Sequence, residues 1–298
     1  MYSLRRGYAD TSLGQLHYLE AGSGAALILL HQTPRSADEF VELMPLLAPH
    51  FRVVAMDMYG FGLSAKPDGA QTIEQYASGV FALADALGIG RFAVLGHHTG
   101  SIVAVEVGAT DPMRVTALVL SSPTLTDLEF RVTQERGPGV DEAEREAGGE
   151  HLIAWWRQRV DFYPKGRTDL MDRFIRDCLA PGVDPLEGHL ACARYVMEDR
   201  VGLVTAPVLM LGAEGDPYSF AYVEPTAAAL KSAAIVEVRV IRGAMIPVME
   251  DKTDEVAEAV LNFLGRVSSA RGEVRTMPAG YESPITLDRR AVIAPSAG

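Results

Sequence analysis

The chain has 298 residues, of which 48% are hydrophobic and 22% charged. That suits one α/β domain carrying an insertion, or two small domains, with ample apolar material for a core. The formal net charge is −12 and no basic stripe with interleaved aromatics occurs, which argues against nucleic acid and anionic membrane surfaces as partners. No apolar run follows Arg5 and Arg6, so no secretory leader is expected, and no apolar stretch is long enough to span a bilayer. Cys178 and Cys192 lack metal-type spacing and are expected to be buried thiols in a reducing cytoplasm.

Gly14–Glu20 and Ala26–Leu30 read as strands separated by the turn Ala21–Gly24. The second is apolar throughout, as expected of a strand covered on both faces. It runs into His31-Gln32-Thr33-Pro34-Arg35. Ser36 and Glu39 have capping-box spacing, which predicts a helix carrying Phe40, Leu43, Leu46 and Leu47. Phe51–Met56 is the next buried strand, ending at Asp57 and followed by the glycine-rich turn Tyr59–Ser64. Thr72 and Gln75 form a second capping box, opening a helix to about Leu87 with Gly88 beyond its end.

Arg91–Leu95 is a strand that leads into Gly96-His97-His98-Thr99-Gly100 and then a helix with Gly100, Ala104 and Gly108 at every fourth position. Glycines flanking a central residue between strand and helix permit a sharp turn that raises one side chain above a parallel sheet. The raised residue here is His98. Val115–Leu120 continues the alternation of strand and helix, which predicts a parallel sheet with right-handed crossovers.

The alternation breaks between about 125 and 205. That region has charged helical segments, a polar stretch Gly137–Gly149 expected to be a mobile loop, and Trp155 and Trp156. It reads as a helical cap (125–205) inserted between two core segments (1–124 and 206–265). Strands resume at Pro207–Leu211 and Ile235–Ile241, and Thr253 opens a final helix with Val256, Val260, Phe263 and Leu264 on one face. Residues 266–298 are expected to form an extended arm on the chain's own surface or on that of a homodimer partner.

Four landmarks together resemble the α/β-hydrolase superfamily over roughly residues 8–265. His31-Gln32-Thr33-Pro34 is similar to the His-Gly-x-Pro oxyanion loop, and Asp57–Ser64 to the D-x-x-G-x-G-x-S turn. Gly96–Gly100 is similar to the nucleophile elbow, and Leu211–Pro217 to the loop that delivers the acid, at Asp216. The resemblance implies an α/β-hydrolase fold: a mostly parallel central sheet flanked by helices, with an inserted helical cap. The departures are equally specific. His98 stands at the nucleophile position, Gln32 replaces a glycine of the oxyanion loop, and Met245 occupies the position of the usual catalytic histidine. A serine-type acyl-enzyme cycle is therefore not implied.

A histidine lost at one corner and gained at another suggests a relocated base. Leaning from the elbow into space vacated at Met245, His98 would reach Asp216 and form a His–Asp dyad. Its second nitrogen would act as general base, with the Thr33 and Thr99 amides as oxyanion hole. The substrate would be a small, largely apolar ester or carbonyl compound, turned over by hydrolase or lyase chemistry without cofactor or metal. Two alternatives are a silent ligand-binding protein using the same pocket and a hydrolase in which His98 attacks covalently.

His31, Gln32, Trp155, Trp156 and Met245 are candidates to line the pocket, although the His31 ring could equally brace its turn. His97 is expected to point back into the fold, Asp57 to satisfy backbone N–H groups, and Asp127 to serve as a fallback acid. His151 and His189 have no recognised metal spacing.

Overall fold

Strands whose side chains are apolar on both faces must be covered on both faces, and this dictates the centre of the molecule. A computed structural model describes residues 3–136 and 140–270. Eight strands form one sheet: β1 (Arg5–Thr11), β2 (Gly14–Ala21), β3 (Ala26–Leu30), β4 (Arg52–Met56), β5 (Phe92–His97), β6 (Val115–Ser121), β7 (Val208–Ala213) and β8 (Val236–Ile241). Their spatial order is β1-β2-β4-β3-β5-β6-β7-β8. β1–β2 and β2–β4 pair antiparallel, and every other neighbouring pair is parallel.

Successive side chains of β3 divide between the two cores. Ile28 and Leu30 pack with the helices Ile73–Ala86 and Thr99–Thr110. Leu27 and Leu29 face the other way, against Phe40, Leu47 and the final helix residues Val256, Val260 and Phe263. This is the period-two geometry of a strand buried on both sides. Among the described residues no helix is long and apolar enough to cross a membrane.

The expected strands are all present, with ends shifted by no more than two residues. β1 is an addition. Ala9 is its one buried residue, so this edge strand carries no apolar run to announce it. The capping box at Thr72 forms as expected: Thr72 Oγ1 accepts from Gln75 N at 3.2 Å, and Gln75 Oε1 accepts from Thr72 N at 3.0 Å. The one expected at Ser36 does not. Ser36 makes no side-chain cap, only a single 3₁₀ turn spans Ala37–Phe40, and Glu39 is buried. Its carboxylate is used elsewhere, as described below.

Between β6 and β7 lie the helices Leu128–Arg136, Glu150–Arg159, Thr168–Cys178 and Glu187–Arg194. The final helix runs Thr253–Ala270, past its expected end at 265. Residues 266–270 of the expected arm therefore belong to this helix; the rest of the arm, 271–298, lies outside the described residues, as do 137–139 of the expected loop. Cys178 and Cys192 are free thiols and buried.

The elbow is built by exclusion. A Cβ on Gly96 would sit 2.0 Å from the Gly100 carbonyl oxygen, and one on Gly100 would sit 2.1 Å from the carbonyl oxygen of Leu30 in β3. Only hydrogen fits at either position, so the helix Thr99–Thr110 can lie directly against the sheet. Gly100→Ala is expected to lower unfolding free energy by at least about 2 kcal/mol, because the obstacle is backbone that cannot yield. A urea midpoint unchanged from wild type would contradict this packing.

Candidate active site

The turn that Gly96 and Gly100 permit leaves His98 at φ 47°, a left-handed conformation costly for a residue with a Cβ. The surroundings hold it there. His98 N donates to Ser121 O at 3.0 Å, and Ser101 Oγ donates to His98 O at 2.6 Å. Such a non-glycine outlier at the head of a sheet marks a position where side-chain placement outweighs backbone ease.

From that perch the His98 ring reaches Asp216, in the loop after β7. Nε2 lies 2.8 Å from Asp216 Oδ2. The contact has ion-pair distance, but the ring N–H is not aligned for a hydrogen bond. No described residue hydrogen-bonds Nδ1. Asp216 is buried and fixed by its own loop: Ser219 Oγ donates to Oδ2 at 2.5 Å and Tyr218 N to Oδ1 at 3.0 Å. Burial alone would raise the Asp216 pKa. The His98 ring, the Ser219 hydroxyl and the Tyr218 amide outweigh it and hold the carboxyl well below the usual range.

A group whose folded pKa is depressed adds stability that is present above its unfolded value, near 4, and lost as pH falls through the folded value. Wild-type thermal stability is therefore expected to fall as pH drops below about 5, and Asp216→Asn to flatten that slope. Parallel slopes in scanning calorimetry would refute the assignment of an ionised Asp216.

His98, Thr99, Gln32 and Thr33 line one cavity of about 220 Å³ between core and cap. The backbone N–H groups of Thr33 and Thr99 donate to no described residue. The Gln32 Nε2 and Thr33 Oγ1 atoms are also buried without partners. Unpaired donors in a buried wall are the arrangement that receives a ligand oxygen.

Glu39 supports this wall from behind. Its Oε2 accepts from Gln32 N at 3.0 Å and its Oε1 pairs with His97 Nδ1. One carboxylate thus ties the loop after β3 to the residue beneath the elbow. His97 points into the fold, as the elbow pattern predicts, with its ring centroid 4.8 Å from that of His98. Burial would raise the Glu39 pKa, but His97 and Arg35 hold its carboxyl below the usual range.

The remaining candidates divide. His31 braces its turn: Nδ1 contacts Gln32 O at 2.7 Å and Nε2 accepts from Met58 N at 3.0 Å. Asp57 satisfies the amides of Ala37 and Leu63 at 2.8 and 2.7 Å. Asp127 accepts from Phe130 N at 2.9 Å, at the start of a cap helix.

Trp155 and Trp156, expected at the pocket, are not among the residues that line it. Trp155 is buried in the cap's own core with Phe174 and Leu170, where Nε1 donates to Asp141 O at 2.8 Å. Trp156 packs against the same cluster. An indole this large finds its partners within the cap. Met245 and His31 are likewise absent from the lining; Met245 packs beside Gly215 in the loop that carries the acid.

The cap instead contributes Arg159, His189 and Cys192 to the cavity, beside Tyr218 and Tyr222 from the core. Arg159 Nε donates to Asp141 Oδ1 at 2.7 Å, and His189 Nε2 lies 2.8 Å from Asp141 Oδ2. Asp141 is buried at φ 61° within the segment expected to be a mobile loop. Burial opposes its charge, but Arg159 and His189 keep its carboxyl well below the usual range. No spacing rule links residues 141, 159 and 189, so no sequence pattern announces this cluster.

A strand-elbow-helix above a mostly parallel sheet, a loop His31–Pro34 after β3 and a buried aspartate after β7 define one class of protein. A family model described as alpha/beta hydrolase fold matches residues 25–244. The chain belongs to that family. Haloalkane dehalogenase 2 of Mycobacterium tuberculosis is 30% identical over 123 residues, 41% of this chain and 43% of that protein. The 2-hydroxy-6-oxo-6-(2'-aminophenyl)hexa-2,4-dienoic acid hydrolase of Metapseudomonas resinovorans is 34% identical over 143 residues, 47% and 49% of the two chains. The match thus spans about half the length of these relatives. Among solved structures, a thermophilic esterase from Thermogutta terrifontis superposes with a TM-score of 0.71 at 22% identity, covering 88% of this chain and 99% of that one.

Proposed function

We propose that the protein is a hydrolase-type enzyme in which His98 is the general base and Asp216 its orienting carboxylate. The substrate would be a small ester or carbonyl compound whose oxygen is held by the Thr33 and Thr99 amides. The observation that carries this reading is the 2.8 Å contact between His98 Nε2 and Asp216 Oδ2, in a cavity where two backbone donors stand free. Relatives named as hydrolases support the reaction class, and a cavity of about 220 Å³ supports a small substrate.

With Nε2 turned to the carboxylate, Nδ1 takes a proton from water as the water oxygen attacks the carbonyl carbon. The imidazolium that forms is stabilised by Asp216, and the developing oxyanion by the amides. No cofactor enters this scheme. A base relocated to the elbow does the work that the family's histidine, replaced here by Met245, performs elsewhere. The test is hydrolysis of 4-nitrophenyl acetate by wild type and His98→Gln. Loss of turnover is expected; a variant as active as wild type would remove His98 from the chemistry.

A further inference from the structure

The cavity is bounded by a second histidine–aspartate pair, carried by the cap. His189 Nε2 lies 2.8 Å from Asp141 Oδ2 and 3.5 Å from Arg159 Nη2, and no described residue hydrogen-bonds His189 Nδ1. Arg159 chelates the same carboxylate through Nε and Nη2. A carboxylate can only accept, so His189 meets it with Nε2 as donor, which leaves Nδ1 as the nitrogen to exchange a proton. His98 and His189 line the same cavity.

The helix Glu187–Arg194 positions this pair against the oxyanion hole. A Cβ on Gly188 would lie 2.0 Å from Thr33 Oγ1, so helix and oxyanion loop touch at a position where no side chain fits. One turn later Cys192 Sγ donates to Thr99 Oγ1 at 3.7 Å. Residues 188 and 192 share a helix face, and that face rests on both residues whose amides form the hole. His189, next to Gly188, is thereby carried to the rim of the site.

We infer that His189 is the general acid that protonates the leaving group, opposite the base His98; this rests on the reading of His98 given above. In ester hydrolysis, His98 Nδ1 removes a proton from water as the new C–O bond forms, and the carbonyl π pair moves onto oxygen. When the carbonyl re-forms, the bond to the alkoxy oxygen breaks and His189 Nδ1–H gives its proton to that oxygen. His98 then releases its proton to solvent and His189 recovers one, so acid and alcohol leave with the proton count unchanged.

The experiment compares two leaving groups. 4-Nitrophenolate departs without protonation, whereas the benzyl alkoxide needs an acid. His189→Gln preserves a donor to Asp141. It is expected to slow benzyl acetate hydrolysis about 10²-fold more than 4-nitrophenyl acetate hydrolysis, the scale of general acid catalysis. His189→Asn, with an unchanged thermal midpoint, should show the same selectivity. Equal losses on both esters would make His189 structural, and no loss on either would make it a bystander; both outcomes overturn the acid. Undiminished 4-nitrophenyl acetate hydrolysis in His98→Gln would instead overturn the base. A wild type inert to both esters overturns the two assignments together.

Discussion

His98→Gln is expected to reduce 4-nitrophenyl acetate hydrolysis by about 10²- to 10⁴-fold, the contribution of a positioned general base. Glutamine keeps a polar side chain at the elbow but cannot take a proton, and it leaves the Thr33 and Thr99 amides in place. Asp216→Asn is expected to cost less, about 10- to 10²-fold, corresponding to the about 1.5–3 kcal/mol of an interaction with a charged group. The order matters as much as the size. If Asp216→Asn were inactive and His98→Gln active, the carboxylate would be serving some other group. Mass spectrometry of the wild type under turnover is expected to show no acyl adduct on His98, since the scheme forms no covalent intermediate. A stable adduct would favour direct attack by the ring.

The largest expected effect on stability is at Arg35, a residue with no solvent exposure. Its Nε donates to Asp177 Oδ2 at 2.8 Å and its Nη1 to Glu250 Oε1 at 2.8 Å, while its backbone N donates to Gln32 O at 2.9 Å. One residue thus joins the loop after β3, a cap helix and the segment after β8. Arg35→Met would remove the buried cation that two carboxylates share, leaving Asp177 to Arg176 and Glu250 to Arg173 Nη2 at 3.9 Å, at a cost of about 3–5 kcal/mol. Arg35→Lys should lie between, because the ammonium keeps the charge but not the fork. Burial pushes the Glu250 carboxyl upward even with Arg35 present, so without the guanidinium it binds a proton more readily. Acidification is therefore expected to narrow the gap between Arg35→Met and wild type. Urea titrations at two pH values check both the loss and its sign.

The fold was legible wherever burial dictated residue type. β3, β5 and β7 are apolar on both faces, and the paired glycines at 96 and 100 announce a turn that nothing larger could make. β1 was not legible because an edge strand with one buried residue needs no apolar pattern. Glu39 shows a different failure. Its spacing from Ser36 is that of a capping box, yet its carboxylate is turned inward to Gln32 and His97, and short-range spacing cannot reveal a partner 58 residues away. The site divides in the same manner. The juxtaposition of His98 and Asp216 was legible because local motifs present both residues, whereas Asp141, Arg159 and His189 meet only through the packing of cap helices. Trp155 and Trp156 were misleading because aromatic size signals burial without saying which interior receives the ring.

The contact at Gly188 also sets what can be altered without rebuilding the site. Cap and core approach each other there at the smallest residue of the helix, so cavity height depends on the absence of one carbon atom. A methyl group at 188 would work as a spacer, tilting the helix away from Thr33 and carrying His189 outward. A gorge widened from the cap side for bulkier molecules would thus come with a misplaced histidine. Width gained at Tyr218 or Tyr222, which line the cavity from the core, would carry no such cost.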